Sequence, residues 1–161
     1  MDFSKIIKFI EANIHNLSHA YYDQIKQSEF TRTYQQFDES KVIERAEKVF
    51  QNFIEWLKTG ASNDKAEKYF ESIGAERFRE GFPLTEVNYA LYTTKKVFWS
   101  FIAWKEELFD EMDFVQIIEC TTILNNYFDL GNFYIIKGYV NELISKIDEY
   151  SKEEIKKYLI E

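Results

Sequence analysis

Cysteine, proline and glycine are all scarce in this chain of 161 residues, which has one Cys, one Pro and five Gly. The single cysteine, Cys120, excludes an internal disulfide framework and a zinc site built from several cysteines, and it suits a reducing compartment. Because so few residues break helices, the composition favours long helices over many short strands joined by turns.

Long apolar runs are also missing. No stretch approaches the ~18 apolar residues of a membrane-spanning helix. The chain begins with the acidic Asp2 and the polar Ser4 and no long apolar run follows, so we predict no signal peptide. The net charge of −8 repels phosphate backbones and anionic lipid surfaces. We therefore expect a cytoplasmic protein that binds neither nucleic acid nor membranes.

Aromatic residues, in contrast, are plentiful: 15 Phe, 11 Tyr and 3 Trp make up 18% of the chain. Each large ring buries much apolar area, so a thick core between few elements is possible. The length is that of about one domain, and roughly two thirds of the unfolded surface can be buried at this size.

Apolar residues recur at spacings of three and four, the period of a helix with one buried face. This pattern predicts helices over residues 3–27, 40–58, 63–80, from 83 or 84 to about 102, and from 113 towards the end of the chain. We predict an all-α fold, a helical bundle of about five helices with a long C-terminal connector helix. The bundle is expected over 1–138, and 139–161 is expected to extend the last helix.

The apolar stripe narrows in this extension. Val140, Ile144 and Ile147 lie among Glu, Lys and Asp, a pattern typical of a thin contact between two helices. We predict that these three residues form a dimer seam and that the protein is a homodimer.

The two histidines, His15 and His19, are separated by one helical turn and could hold a metal together. Glu11 and Asp23 share that face, but an exposed polar face is the more common reason for such a run. Haem would need an unusual arrangement, since no histidine follows His19. We predict no metal and no cofactor.

Catalytic motifs are absent from the sequence. There is no Gly-rich phosphate loop, no G-x-S-x-G and no H-E-x-x-H. Cys120 lies among apolar residues and is interpreted as part of the core. We predict that the protein is not an enzyme.

Arg77 lies on or near the apolar face of the third helix, and a charge there needs an acceptor. Either it forms an ion pair with Glu86 that fixes the angle between two helices, or it lines a cavity and meets an anionic ligand or partner. Tyr89 and Trp99 also allow two interpretations: they either pack in the core and on the surface as ordinary aromatic residues, or they form a pocket or a dimer face. These four residues are the candidate ligand-binding or inter-helix switch site.

The segment from Ile73 to Val87 reads IGAERFREGFPLTEV, and Leu91 and Trp99 follow. It resembles the N-terminal helical domain of the bacterial RsbRD-type RsbT co-antagonists. The matching positions are Arg77, Gly81, Pro83, Leu84, Glu86, Val87, Leu91 and Trp99.

This resemblance implies a small sensory or regulatory input domain. Such domains usually precede an output module, for example a STAS domain, a kinase or a cyclase, and here none follows within the sequence. We therefore expect a non-enzymatic bacterial signal-transduction input domain. It would sense a ligand or partner and relay that signal through helix packing to a fused output domain or a partner protein. The alternative is a bundle that binds a small molecule or haem.

Overall fold

The computed structural model describes residues 1–147 and 152–160, and in this part the chain forms six α-helices and no strand. The predicted all-α bundle is confirmed. No helix among the described residues has the length and the apolar character needed to cross a membrane. The helices are α1 (Ser4–Gln27), α2 (Glu39–Lys58), α3 (Asn63–Arg79), α4 (Leu84–Ile102), α5 (Phe114–Ser145) and α6 (Lys152–Leu159).

The helix ends follow local chemistry. The Asp113 carboxylate accepts a hydrogen bond from the backbone N–H of Gln116, and the Gln116 side chain accepts one from the backbone N–H of Asp113. This reciprocal capping starts α5. After α2 and α3, Gly60 and Gly81 adopt φ values of 70° and 81°, a left-handed conformation that glycine tolerates best.

The core is built around aromatic rings contributed by four helices. The Phe53 ring of α2 stacks on Tyr127 of α5 at 4.5 Å and meets Phe98 of α4 edge-on at 5.1 Å. Phe70 of α3 lies 5.1 Å from Tyr127. All four side chains are almost fully buried. Burying one such ring is worth roughly 1.5–3 kcal/mol, so this cluster holds α2, α3, α4 and α5 together.

Helices α3 and α5 touch backbone to backbone. A Cβ placed on Gly74 would lie 2.1 Å from the Ile135 carbonyl oxygen, and one on Gly138 would lie 2.1 Å from the Glu71 carbonyl oxygen. No real side chain fits at such distances. The two helices therefore cross at two glycines and have no side-chain layer between them there.

The end of the chain differs from the expected single helix. Helix α5 ends at Ser145, and α6 forms a separate helix after residues 148–151, which lie outside the described part. The ring of Tyr158 in α6 lies 4.9 Å from Phe78 of α3. The apolar stripe of α6 thus packs on its own bundle, which gives those residues a partner that the sequence pattern did not show. The division into 1–138 and 139–161 stays a prediction.

The hydroxyl of Tyr139 joins α6 to the turn between α3 and α4. It lies 2.6 Å from the Phe82 carbonyl oxygen and 2.7 Å from the Tyr158 carbonyl oxygen. A phenol carries one proton, so the hydroxyl donates to one of these two oxygens at a time.

Candidate functional site

A cavity of about 380 Å³ opens between α2 and α3 and reaches α1, α4 and α5. This volume falls within the ~300–1,000 Å³ typical of small-molecule sites. Exposed side chains form its rim, namely Lys41, Glu44, Lys48, Ser72 and Glu76. Apolar residues form much of its wall, namely Val42, Ala46, Val87, Ala90, Leu91 and Ile135.

Arg77 lines this cavity and is 5% exposed. Its Nη1 donates a hydrogen bond to Glu80 Oε2 at 2.8 Å, and Glu80 Oε1 accepts a second hydrogen bond from Nη2 of Arg45. The expected Arg77–Glu86 ion pair is therefore wrong. Glu80, which lies three positions after Arg77 and directly follows the end of α3, reaches the guanidinium more directly than a residue on α4.

The carboxyl of Glu80 titrates below its usual range. Burial by itself would raise the pKa of Glu80, but the positive charges of Arg77 and Arg45 outweigh that effect and lower it. Glu80 therefore stays ionised and holds the two arginines of α2 and α3 side by side.

Glu86 binds the loop between α1 and α2 and does not pair with Arg77 as predicted. Its Oε2 accepts a hydrogen bond from the backbone N–H of Thr33 at 2.9 Å, and its Oε1 accepts one from the Thr33 hydroxyl at 3.0 Å. Both carboxylate oxygens are thus used to fix the loop between α1 and α2 against α4.

Tyr89 and Trp99 lie away from the cavity. Tyr89 contacts the rings of Phe30 at 5.0 Å and Tyr92 at 5.5 Å, and it lines a separate open groove. The indole N–H of Trp99 donates to Asn125 Oδ1 at 3.0 Å and so ties α4 to α5. Of the four residues predicted as one site, the structure places only Arg77 on the cavity.

Three tyrosines complete the polar part of the cavity wall: Tyr21 of α1, Tyr34 of the α1–α2 loop and Tyr69 of α3. Burial raises the pKa of each phenol, so all three keep their protons at neutral pH. Each of these hydroxyls can therefore donate a hydrogen bond.

Sequence reasoning missed Arg45, although a signal was present. Arg45 follows Val42 by three positions and precedes Val49 by four, so helical spacing places it on the apolar face of α2. Its side chain is 18% exposed, and its guanidinium lies over the Phe37 ring at 5.3 Å.

The predicted dimer seam residues lie on the outside of α5 or close to it. Ile144 is 57% exposed, Ile147 is 48% exposed and Val140 is half-buried. Phe133 and Ile136 extend the same face by about two turns towards the N-terminus of the helix, and both are exposed.

The histidines lie on the outer surface of α1. The His15 ring is 72% exposed, stands 4.2 Å from the His19 ring and has Nδ1 3.5 Å from Glu47 Oε1. Glu11 and Asp23, the other possible ligands, form ion pairs with lysines. In the part of the chain that is described, no three His, Cys, Asp or Glu residues come together as a metal-ion site.

The family model for the RsbT co-antagonist protein RsbRD N-terminal domain matches residues 23–150, which confirms the resemblance carried by the segment around Arg77. No curated protein and no solved structure matches the chain significantly. The match covers most of the chain, including α2 to α5 and the cavity residues on them. The chain therefore belongs to the family of RsbT co-antagonist protein RsbRD N-terminal domains, which implies a stressosome-related signalling input domain.

Proposed function

We propose that this domain is a non-enzymatic homodimeric sensor that receives a ligand or partner at the cavity and relays the event through α5. The observation that carries the proposal is the position of α5. One face of this helix touches the backbone of the arginine-bearing α3 at Gly74 and Gly138, and another face carries exposed apolar residues.

The glycine contact makes α3 and α5 move together. With no side-chain layer between them at Gly74 and Gly138, a shift of α3 meets the backbone of α5 directly. Packed interfaces respond to such shifts by moving as units and do not deform smoothly. A change in the packing of α3 and α4 around the cavity is in this way carried to α5.

The outer face of α5 supplies the second half of the relay. Phe133, Ile136 and Ile144 are at least one-third exposed and, with the half-buried Val140, are spaced by three or four residues; Ile147, just beyond the end of α5, continues this spacing and is also exposed. A monomer gains nothing from exposing such a row, and exposed apolar patches mark interaction sites. A single helix face pairs with its own copy around a two-fold axis, which is the most common symmetry of soluble dimers.

Two observations support a binding role over a catalytic one. Cys120, the one cysteine, is fully buried, and burial raises the pKa of its thiol to about 11, so the reactive thiolate is scarce at neutral pH. His15 and His19 lie on the surface of α1, away from the cavity. The same placement argues against haem ligation in the cavity by either histidine.

The family is described as the N-terminal domain of an RsbT co-antagonist protein. We therefore propose that the output of this domain is a protein contact, made by a fused module or a separate partner, and that neither nucleic acid nor membrane is involved. A cytoplasmic location belongs to the same proposal, because a reducing compartment suits a free thiol such as Cys120.

Light scattering on a size-exclusion column tests the dimer. We expect the wild type to elute as a dimer and the Ile144→Lys/Ile147→Lys variant to elute as a folded monomer. Ser145→Lys adds the same type of charge at an exposed position on another face of α5, and it should remain dimeric. A monomeric wild type, or an unchanged dimer in the double variant, contradicts the proposed relay.

A further inference from the structure

The cavity between α2 and α3 combines two guanidinium groups with one carboxylate that bonds both of them, Glu80, whose side chain is 26% exposed. Glu80 accepts hydrogen bonds from both Arg45 and Arg77. Glu80 itself is not among the described residues that line the cavity. Glu76 lies 3.6 Å from Arg77 Nη1, but its side chain is 60% exposed at the rim, where water screens its charge. Positive charge therefore faces the cavity, in a protein whose net charge is −8.

Arg45 has an unused donor at this place. Its Nη1 is buried and has no hydrogen-bond partner among the described residues. A buried donor without an acceptor is costly, more so when it is charged. Arg45 thus lines the cavity with a guanidinium that has one N–H group without an acceptor.

The remaining wall defines what else the occupant must be. The hydroxyls of Tyr21, Tyr34 and Tyr69 come from three different elements and can donate to an anion. Much of the remaining wall is hydrocarbon, contributed by Val42, Ala46, Val87, Ala90, Leu91 and Ile135. An occupant needs one small anionic end and an apolar body.

We propose that the cavity binds a small amphipathic carboxylate. Its carboxylate lies at Arg45 and Arg77, and its hydrocarbon body lies against Ala46, Ala90 and Leu91. A planar carboxylate matches the fork of a guanidinium and can accept two hydrogen bonds from it. A carboxylate also carries the charge opposite to that of the two guanidinium groups.

This proposal rests on the proposed function, because the carboxylate is the signal that the sensor would detect. Arg45 belongs to α2 and Arg77 to α3, so a carboxylate between them draws these two helices together. Helix α3 is the one that crosses α5 at the glycines. Occupancy of the cavity therefore acts on the helix that bears the exposed apolar face.

Isothermal titration calorimetry of the full chain with decanoate tests the proposal, with decan-1-ol and inorganic phosphate as comparison ligands. We expect decanoate to bind once per chain and decan-1-ol, which lacks the charge, to bind at least about 10-fold more weakly. Phosphate, which has no apolar body, should bind more weakly than decanoate.

Variants locate the binding. Arg45→Gln removes one guanidinium and leaves Arg77 to hold Glu80, so it should weaken decanoate binding by about 10-fold or more. Arg79→Gln is the matched control, since Arg79 is 56% exposed on α3 and lies outside the cavity. Ala90→Leu fills the cavity with hydrocarbon and should abolish binding, while circular dichroism shows that the helices persist.

Three results overturn the proposal: equal affinities for decanoate and decan-1-ol, tighter binding of phosphate than of decanoate, or wild-type affinity in folded Arg45→Gln. The dimer experiment uses no ligand, so the two failures are distinct. A monomeric wild type would contradict the proposed relay and would not affect the decanoate result. Absence of decanoate binding would contradict the proposed ligand and would not affect the proposed dimer.

Discussion

Replacing Gly138 by alanine tests whether α3 and α5 truly meet at their backbones. The new Cβ would lie 2.1 Å from the Glu71 carbonyl oxygen and 2.7 Å from the Glu71 carbonyl carbon, whereas ordinary contact begins at 3.4 Å. The obstacle is main chain, which cannot rotate away as a side chain does. The helices must therefore separate by about 1 Å, and the aromatic packing beside the crossing loosens.

The magnitude follows from two opposed effects. Overpacking a well-packed site costs about 1–3 kcal/mol, and we place this backbone clash at the upper end. Alanine is favoured over glycine inside a helix by about 1 kcal/mol, which offsets part of the loss. The net loss is about 2 kcal/mol, which corresponds to a fall in Tm of roughly 4–8 °C for a domain of this size.

Thermal unfolding followed by circular dichroism measures this fall. Asn141→Ala, at an exposed position on the same helix, is the control and should change stability by less than about 0.5 kcal/mol. Gly74→Ala widens the same crossing, so the double variant should lose less than the sum of the two single losses. A Gly138→Ala protein as stable as the wild type would refute the backbone contact.

Four further outcomes are expected. Asp113→Ala removes the reciprocal cap of α5 and should cost about 1 kcal/mol in urea unfolding, whereas Asp110→Ala, outside the cap, should not. Tyr139→Phe leaves the Phe82 carbonyl oxygen without its donor and should cost about 1–2 kcal/mol, and an unchanged Tm would contradict that bond. The pKa of Glu80 is lowered in the folded state, so the stability it contributes is present above its unfolded pKa of about 4.5 and is lost as the pH falls below that value. The stability gap between wild type and Glu80→Gln should therefore shrink as the pH falls below about 4.5, and a constant gap would argue against ionised Glu80. Burial raises the pKa of Cys120 to about 11, so a thiol reagent should label the native protein slowly and the urea-unfolded protein rapidly; equal rates would place Cys120 at the surface.

The periodic apolar stripes predicted the first five helices to within a residue or so at most ends, because each has one continuous buried face. Gly60 and Gly81 marked the ends of α2 and α3 for a local reason, their left-handed backbone. The break after Ser145 was not predictable in this way, since the stripe continues across it and α6 packs through contacts with residues distant in the chain, such as Phe78 and Tyr139.

The candidate site was predictable only in part. The sequence indicated Arg77 because an arginine on an apolar face needs acceptors. It did not indicate which carboxylate accepts, because that depends on how far each side chain reaches. Glu80 was closer in the chain than Glu86 and bonds Arg77 directly. Arg45 comes to the same cavity from α2, 32 positions earlier, and no local pattern states which residues on two helices face each other.

The single proton of Tyr139 limits what this hydroxyl contributes to the docking of α6. If α6 leaves the bundle, the phenol loses the Tyr158 carbonyl oxygen but still has the Phe82 carbonyl oxygen as an acceptor. The phenol proton therefore keeps an acceptor, and the carbonyl oxygen of Tyr158 accepts a hydrogen bond from water. The docking of α6 therefore depends on more than this hydrogen bond: the Tyr158 ring packs on Phe78, and the Thr85 hydroxyl donates to the Ile160 carbonyl oxygen.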